Sequence, residues 1–337
     1  MNLSHYSDIM LPAIEKELEV VLNMTQETGL EELCLMLSYH FGWEGPGAGP
    51  KARGKRIRPL LVLLTNAAAG GDWQKALPAA AAVEIVHNFS LIHDDIQDNS
   101  PLRRGRQTVW KLWGIPQAIN AGDSLFALAH MALKRLQVLV PPEVSLQAYE
   151  ILPRACLVLT QGQFLDLAYE TRQELTTEDY WPMIQGKTAS LLATCTELGS
   201  LVAQVDPKKQ AAYRSFGKYV GLAFQVQDDI LGIWGDAALT GKSADSDLLA
   251  GKKSLPVLHG LTHSATFAEK WRNGQITPEE VPSLAALLEE SGALTFAQEK
   301  ADELTQNALK ALDESGALGD AKDALGELAD MLIKRSA

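Results

Sequence analysis

The sequence has little of what marks several large protein classes. Its three cysteines, Cys34, Cys156 and Cys195, are odd in number and far apart, so neither a disulfide framework nor a zinc site is indicated and a reducing cytoplasm is the expected setting. No apolar run approaches the roughly 20 residues that a membrane-spanning helix needs. The opening stretch MNLSHYSDIMLPAIEKELE lacks the basic start and apolar core of a signal peptide. Basic residues are outnumbered, 30 Lys and Arg against 42 Asp and Glu, and the net charge of -12 argues against a nucleic-acid partner. Any anionic ligand must therefore be held by a local basic cluster or by bound metal. The Val/Ile/Thr alternation of strands is essentially missing, and no low-complexity linker divides the chain. What remains is ordinary globular composition, 46% hydrophobic and 21% charged over 337 residues. The expectation is one all-α domain spanning 1–337.

Helical patterns fill that domain. Residues 11–40 carry a mixed apolar and charged pattern, closed by the Gly/Pro-rich loop GWEGPGAGPKARG. Pro59 opens the next helix, PLLVLLTNAAA, which Gly70 and Gly71 end. Further helices read at 117–139, 143–170, 176–204 and 208–234. In the tail, 278–337, polar amphipathic helices are separated by ESGAL, which occurs at 290–294 and again at 314–318.

The Ala-rich helix LPAAAAVEIVHNF runs into SLIHDDIQD, and NSPLRRG then breaks it. Asp94, Asp95 and Asp98 thus sit near a helix C-terminus, where the macrodipole disfavours anions, and Asp94 and Asp98 form a like-charge i, i+4 pair. Either this is a solvated acidic helix end, or a cation holds the oxygens that share one face about 40° apart. FGKYVGLAFQVQDDILGIWGD repeats the arrangement with Asp228 and Asp229. Two acidic ends on apolar helices imply carboxylates around a shared cavity, which repel unless divalent cations occupy it. Oxygen ligands without Cys or His suit magnesium, which takes a few carboxylates plus substrate phosphates.

Basic residues complete the pattern. GKRIRP presents Lys55, Arg56 and Arg58, LRRGR presents Arg103 and Arg104, and GKT, TGKSADSD and GKK add Lys187, Lys242, Lys252 and Lys253. Each alone reads as a solvated cation, although Arg forks suit diphosphate oxygens better than Lys does. GKT is not a phosphate-binding P-loop, because position 181 is Trp rather than Gly. His87 precedes Asp94 by seven residues and shares its face; a core histidine and a ligand-binding one are both open readings. His93 is turned about 100° away and reads as structural.

In combination, GKRIRP, LIHDDIQD followed by RRG, GKT, and FQVQDDILG with a downstream GK resemble the trans-isoprenyl diphosphate synthases, or polyprenyl synthetases, over nearly the whole chain. The resemblance implies an all-α isoprenoid synthase bundle around a deep central cavity, usually homodimeric. Such enzymes condense an allylic diphosphate with isopentenyl diphosphate. It further implies about three magnesium ions, two held by Asp94 and Asp98 and one by Asp228, with Asp95 and Asp229 supporting them from behind. Arg103, Lys187 and Lys242 would contact the allylic diphosphate, and Lys55, Arg58, His87 and Arg104 would hold isopentenyl diphosphate. Lys187, Thr188 and Gln225 would serve catalysis, the last two placing oxygen dipoles near the allylic cation.

One departure stands out: Gly232 occupies the place of the last Asp of the second motif, which puts affinity for the third ion in question. Asp236 lies nearby but does not count as its replacement. A class I terpene cyclase shares the fold and the first motif, but it has no need of a second anion pocket, and its N-x-x-x-S-x-x-x-E pattern is absent. A non-catalytic partner subunit need not keep these aspartates and lysines. On product length, Ser90 lies about 40° from Asp94 on the cavity side and Phe89 about 140° round. In the resembling family an aromatic five residues before the motif, without one at four, favours the twenty-carbon geranylgeranyl diphosphate, with farnesyl or longer products next.

Overall fold

A computed structural model of the protein describes residues 2–235, 246–272, 274 and 276–333. Among the described residues the chain is helical apart from one two-stranded ribbon, and no helix is long and apolar enough to cross a membrane. Two compact units form, one from Met1–Arg154, Thr194–Ala211 and Gly316–Leu325, the other from Ala155–Ala193, Ala212–Ser315 and Gly326–Ala337.

In the first unit, helix α1 (Leu3–Leu22) starts earlier than the expected pattern at 11, because the Asn2 side chain accepts from the His5 amide and caps it. The pattern over 11–40 is also not one helix. It tightens into a 3-10 turn at Asn23–Thr25 and stops where Gly29 takes φ +90°, before α2 (Glu31–His40). The polar NMTQETG stretch has nothing to bury, so no packing energy holds it helical.

After the short α3 (Pro50–Arg53), α4 (Ile57–Ala68) begins two residues ahead of Pro59. Pro59 therefore sits in the first turn, where its missing N–H costs nothing. Leu60, Leu61, Val62, Leu63 and Leu64 are all buried, as in a helix enclosed on every side. Gly199 of α10 (Ser190–Val202) permits this enclosure: a Cβ there would lie 2.4 Å from the Val62 carbonyl oxygen. Asn66 Nδ2 donates to the Gly199 carbonyl at 3.0 Å and closes the crossing. Helix α5 (Leu77–Gln97) packs on α7 (Ile115–Lys134), which follows the short α6 (Val109–Trp113), and on α4 and α1, and its buried run Ala79–Ala82 lets those helices come close.

The strand pattern missed a ribbon. β1 (Leu102–Arg103) pairs antiparallel with β2 (Arg106–Gln107), Arg103 opposite Arg106. Two-residue strands are too short to show alternation. The turn residues Arg104 and Gly105 have φ +52° and +75°, and positive φ at both centres is what a type I′ hairpin needs.

In the second unit, α9 (Thr177–Ile184) starts with a reciprocal cap between Thr176 and Asp179. The pattern over 176–204 is interrupted by a π-turn, Gln185–Ala189, before α10. Backbone crowding accompanies it. Gly162 of α8 (Pro142–Thr171) approaches so closely that a Cβ on it would lie 2.0 Å from the Lys187 nitrogen, and one on Gly186 would lie 2.7 Å from Gly162 Cα. Tyr180, Ala223, Val226, Leu255 and Ala297 belong to this unit's main buried cluster. Both ESGAL stretches mark helix breaks, the first at Gly292 (φ +80°) between Val281–Glu290 and Ala293–Glu314, the second at Gly316 (φ +71°), a residue of the first unit, before Gly319–Ile333.

Candidate active site

In the first unit, α5 ends at Gln97 with Asp98 as its C-cap, so the three aspartates occupy the last turn. Asp94 is half-buried, Asp98 exposed and Asp95 only 2% exposed. The hairpin turns Arg103 back so that its Nε donates to Asp95 Oδ1 at 2.8 Å. The Asp95 carboxyl is raised to about 6, by burial first and by the charges of Asp94 and Asp98, against the pull of Arg103. Asp94 and Asp98 therefore create a negative field at this helix end.

Behind the aspartates lies a cationic cluster. Arg56 is buried and consumed internally, with Nε on Glu15 Oε1 at 2.6 Å and Nη1 on Glu84 Oε1 at 2.9 Å. Arg104 Nη1 donates to the Ala52 carbonyl at 2.9 Å. Its guanidinium lies where a side chain at Gly54 would be, 2.7 Å from a Cβ built there. GKRIRP thus needs its glycine to receive the arginine of the second basic motif. His87 is driven well below the ordinary imidazole range by burial, then by Arg58, Arg104 and Arg103. His40 falls to about 3 for the same kind of reason, burial first and then Arg104, Arg103, Arg56 and Arg106. Burial first, and then several guanidiniums, hold both rings neutral, and that cluster of cations suits an anion. Lys55 is exposed. His93 fills the space above Gly122, where a Cβ would lie 2.2 Å from its Nε2, and meets Phe89 edge-on at 4.9 Å.

In the second unit the π-turn presents Lys187, whose Nζ donates to Asp166 Oδ2 at 2.5 Å. Thr188 Oγ1 donates to Gln225 Oε1 at 2.7 Å, and Gln225 Nε2 donates to Asp229 Oδ1 at 3.0 Å. Helix α11 (Pro207–Trp234) carries Gln225, Asp228 and Asp229. Asp229 is 1% exposed and also accepts from the Tyr180 hydroxyl at 2.7 Å, the Leu255 amide at 3.2 Å and Lys252 Nζ at 3.0 Å. Four donors occupy its oxygens. Asp228, one residue earlier, is half-buried.

GKK does not behave as a pair of solvated lysines. Lys252 bridges Asp229 and Asp247. Lys253 Nζ caps the end of α8, donating to the carbonyls of Tyr169 at 2.5 Å and Glu170 at 3.3 Å, and to that of Arg172. Asp166, Tyr180 and Asp247 gave no signal in the sequence, since each acquires its role through a distant partner. Lys242 and Asp236 lie outside the described residues.

Among the described residues no group of three or more His, Cys, Asp or Glu side chains converges as a self-contained metal site. Magnesium does not require one: it binds through one or two carboxylates, water and substrate phosphates. The oxygen-only donors Asp94 and Asp98, with their negative field at Asp95, fit that ion.

The all-α architecture, with adjacent aspartates on α5 and on α11 and an arginine cluster beside α5, is that of the isoprenoid synthase fold. The sequence signature of the family described as Polyprenyl synthetase matches residues 49–288. The chain is 41% identical over 302 residues to a geranylgeranyl diphosphate synthase from Mycobacterium tuberculosis, covering 88% of this chain and 85% of that one. It is 36% identical over 312 residues to a (2E,6E)-farnesyl diphosphate synthase from Mycobacterium bovis, covering 90% and 86%. A crystal structure of a polyprenyl synthase from Caulobacter crescentus CB15, complexed with calcium and isoprenyl diphosphate, superposes with a TM-score of 0.83 at 31% identity, covering 100% of this chain and 98% of that one. The chain belongs to the polyprenyl synthetase family and is a prenyltransferase.

Proposed function

We propose that the enzyme condenses isopentenyl diphosphate with an allylic diphosphate (dimethylallyl, geranyl or farnesyl) and that its main product is geranylgeranyl diphosphate. One observation carries the reading. Helix α5 ends in carboxylates, which suit a metal-bound diphosphate, and two turns earlier carries a neutral His87 in the field of Arg58, Arg104 and Arg103, which suits a second diphosphate without metal. A cyclase, which handles one diphosphate, has no use for the second.

In this reading Asp94 and Asp98 hold two magnesium ions and Asp228 a third, about three in all. Asp95 and Asp229 fix the ligands from behind through Arg103 and Lys252. The calcium and isoprenyl diphosphate named for the Caulobacter structure support a divalent ion beside diphosphate. Magnesium, when bound, neutralises the leaving diphosphate and lowers the barrier to the allylic cation. Arg103, Lys187 and Lys242 bind the allylic diphosphate, with Asp166 holding Lys187 in place beforehand. Lys55, Arg58, His87 and Arg104 bind isopentenyl diphosphate. Thr188 and Gln225, already hydrogen-bonded to each other, direct oxygen dipoles at the cation while the isopentenyl double bond attacks. The released diphosphate takes up the proton.

Ser90, buried and small, donates to the His87 carbonyl at 2.8 Å and leaves room beside the aspartates. Phe89 instead packs on Phe126 of α7, ring centroids 5.3 Å apart. By the family trend, an aromatic Phe89 with a small Ser90 favours twenty carbons, with fifteen, as in the farnesyl synthase relative, or longer chains as the next readings. Ile115, Ile119 and Phe126 form an exposed apolar stripe on α7 that supports a homodimer. The free thiols Cys34, Cys156 and Cys195 support a cytoplasmic setting.

The test is incubation with an allylic diphosphate, with and without isopentenyl diphosphate. Elongation only with both is expected. Hydrocarbon formed from the allylic substrate alone would show a cyclase, and inertness in both arms a partner subunit.

A further inference from the structure

Arg56 stands on backbone that does not suit it. At φ +49° and ψ +38° it is left-handed, a conformation that glycine and asparagine adopt readily and a long side chain does not. It is also the N-cap of α4, where its side chain makes no capping bond. Gly54, at φ +77°, is left-handed as well. Lys55 is thus strung between two left-handed residues, and Arg58 follows in the first turn of the helix.

The Arg56 side chain holds this path. Every guanidinium nitrogen donates inward, Nε to Glu15 of α1, Nη1 to Glu84 of α5 and Nη2 to the Phe41 carbonyl at 3.2 Å, and the group lies over the Phe41 ring, 5.2 Å from its centroid. The two carboxylates are themselves fixed, since Trp43 Nε1 donates to Glu15 Oε2 at 2.7 Å and Asn88 Nδ2 to Glu84 Oε1 at 3.1 Å. Glu84 precedes His87 by three residues, so the two share a face of α5. Arg56 therefore links the Lys55–Arg58 segment to the helical turn that carries His87.

We propose that Arg56 is a positioning residue for isopentenyl diphosphate: without touching the substrate, it holds Lys55 and Arg58 in place relative to His87. This rests on the reading that those three residues bind isopentenyl diphosphate. Arg56 is 4% exposed, whereas Lys55 is exposed and Arg58 half-buried. Strained backbone persists where its surroundings over-determine it, and here they are carboxylates from two helices. Glu84 also reaches the fourth residue of the pocket: burial lowers the pKa of the Arg104 guanidinium, and the Glu84 charge opposes that fall. By orienting Glu84, Arg56 acts on Arg104 too.

The test is calorimetric titration of isopentenyl diphosphate into the full-length protein in EDTA with no allylic substrate, alongside thermal melting and steady-state kinetics in magnesium with each substrate varied. Arg56→Gln should weaken isopentenyl diphosphate binding and raise its KM about tenfold or more, while KM for the allylic diphosphate stays within about threefold, because small misplacements of binding groups are costly. Arg56→Lys keeps the charge but not the planar fork, and should fall between Arg56→Gln and the parent. Arg56→Gln/Glu84→Gln removes the buried carboxylate that the single variant strands. It should melt closer to the parent than Arg56→Gln does and still bind isopentenyl diphosphate weakly, so the case is decided even if Arg56→Gln does not fold. A lower melting temperature with parent-like isopentenyl diphosphate binding in these variants would overturn the proposal, and so would equal rises in both KM values. Parent-like binding in Arg58→Ala would instead strike the pocket reading on which this inference rests.

Discussion

Lys252→Met isolates the electrostatics of the buried aspartate. The substitution keeps most of the aliphatic stem and removes the one cation that, among the described residues, is hydrogen-bonded to Asp229, leaving a carboxylate 1% exposed with Tyr180, Gln225 and the Leu255 amide as neutral donors. Breaking a fully buried pair from one side costs about 3–5 kcal/mol. The Lys252 side chain is 35% exposed, so water relieves part of that, and we expect the lower end, about 3 kcal/mol. Denaturant unfolding of the metal-free protein measures it, as a fall in midpoint at constant slope. Lys252→Met/Asp229→Asn removes both charges, and its loss should be smaller than the sum of the single losses by about 2 kcal/mol. A single-variant loss below about 1 kcal/mol, the value of an exposed pair, would refute the reasoning and return Lys252 to the solvated class.

Chelation by EDTA should abolish turnover and magnesium restore it, with Asp94→Ala costing several kcal/mol of transition-state stabilisation in kcat/KM; full activity in EDTA would contradict the metal reading. Arg58→Ala or His87→Ala should raise KM for isopentenyl diphosphate more than for the allylic substrate, and equal effects would show the pockets wrongly divided. The His40 ring should stay neutral as pH falls through 6.5, protonating only near pH 3, and His87 should likewise resist protonation. Arg58→Ala should move the His87 titration upward, read by NMR of the ring, because the largest named charge opposing its proton is gone. Phe89→Ala should lengthen the product and Ser90→Phe shorten it, by chromatography of the dephosphorylated prenols; unchanged products in both would place the cavity floor on another helix.

Helices α5 and α11 were legible because their apolar spacing continues until a breaker, and the aspartates at their ends because charge there opposes the dipole. Asp94, Asp98 and Asp228 follow from such local signals. Asp229 and Lys252 do not. One reads as half of an acidic pair and the other as a surface lysine, until Tyr180 and Leu255 arrive from far along the chain. The break after Leu22 was hidden because Leu30 resumes the apolar spacing, and Gly29 alone betrays the turn. The π-turn at Gln185–Ala189 was hidden too, since only the crossing of Gly162 over Gly186 reveals it. Local spacing records what a segment buries, not which distant group satisfies it.

The last turn of α8 is closed by Lys253, which reaches the carbonyls of Tyr169 and Glu170 from 84 and 83 positions away. Those oxygens belong to the end of a helix, where the last carbonyls have no intrahelical partner. During synthesis the turn must therefore wait, frayed and solvated, until most of the second unit has emerged, since such long-range closure forms late. Chains that stop short of residue 253 should show rapid amide exchange at 169–172, and protection should appear there together with the burial of Leu255 beside Asp229. The order in which this unit matures is written into a lysine that sequence alone assigns to the surface.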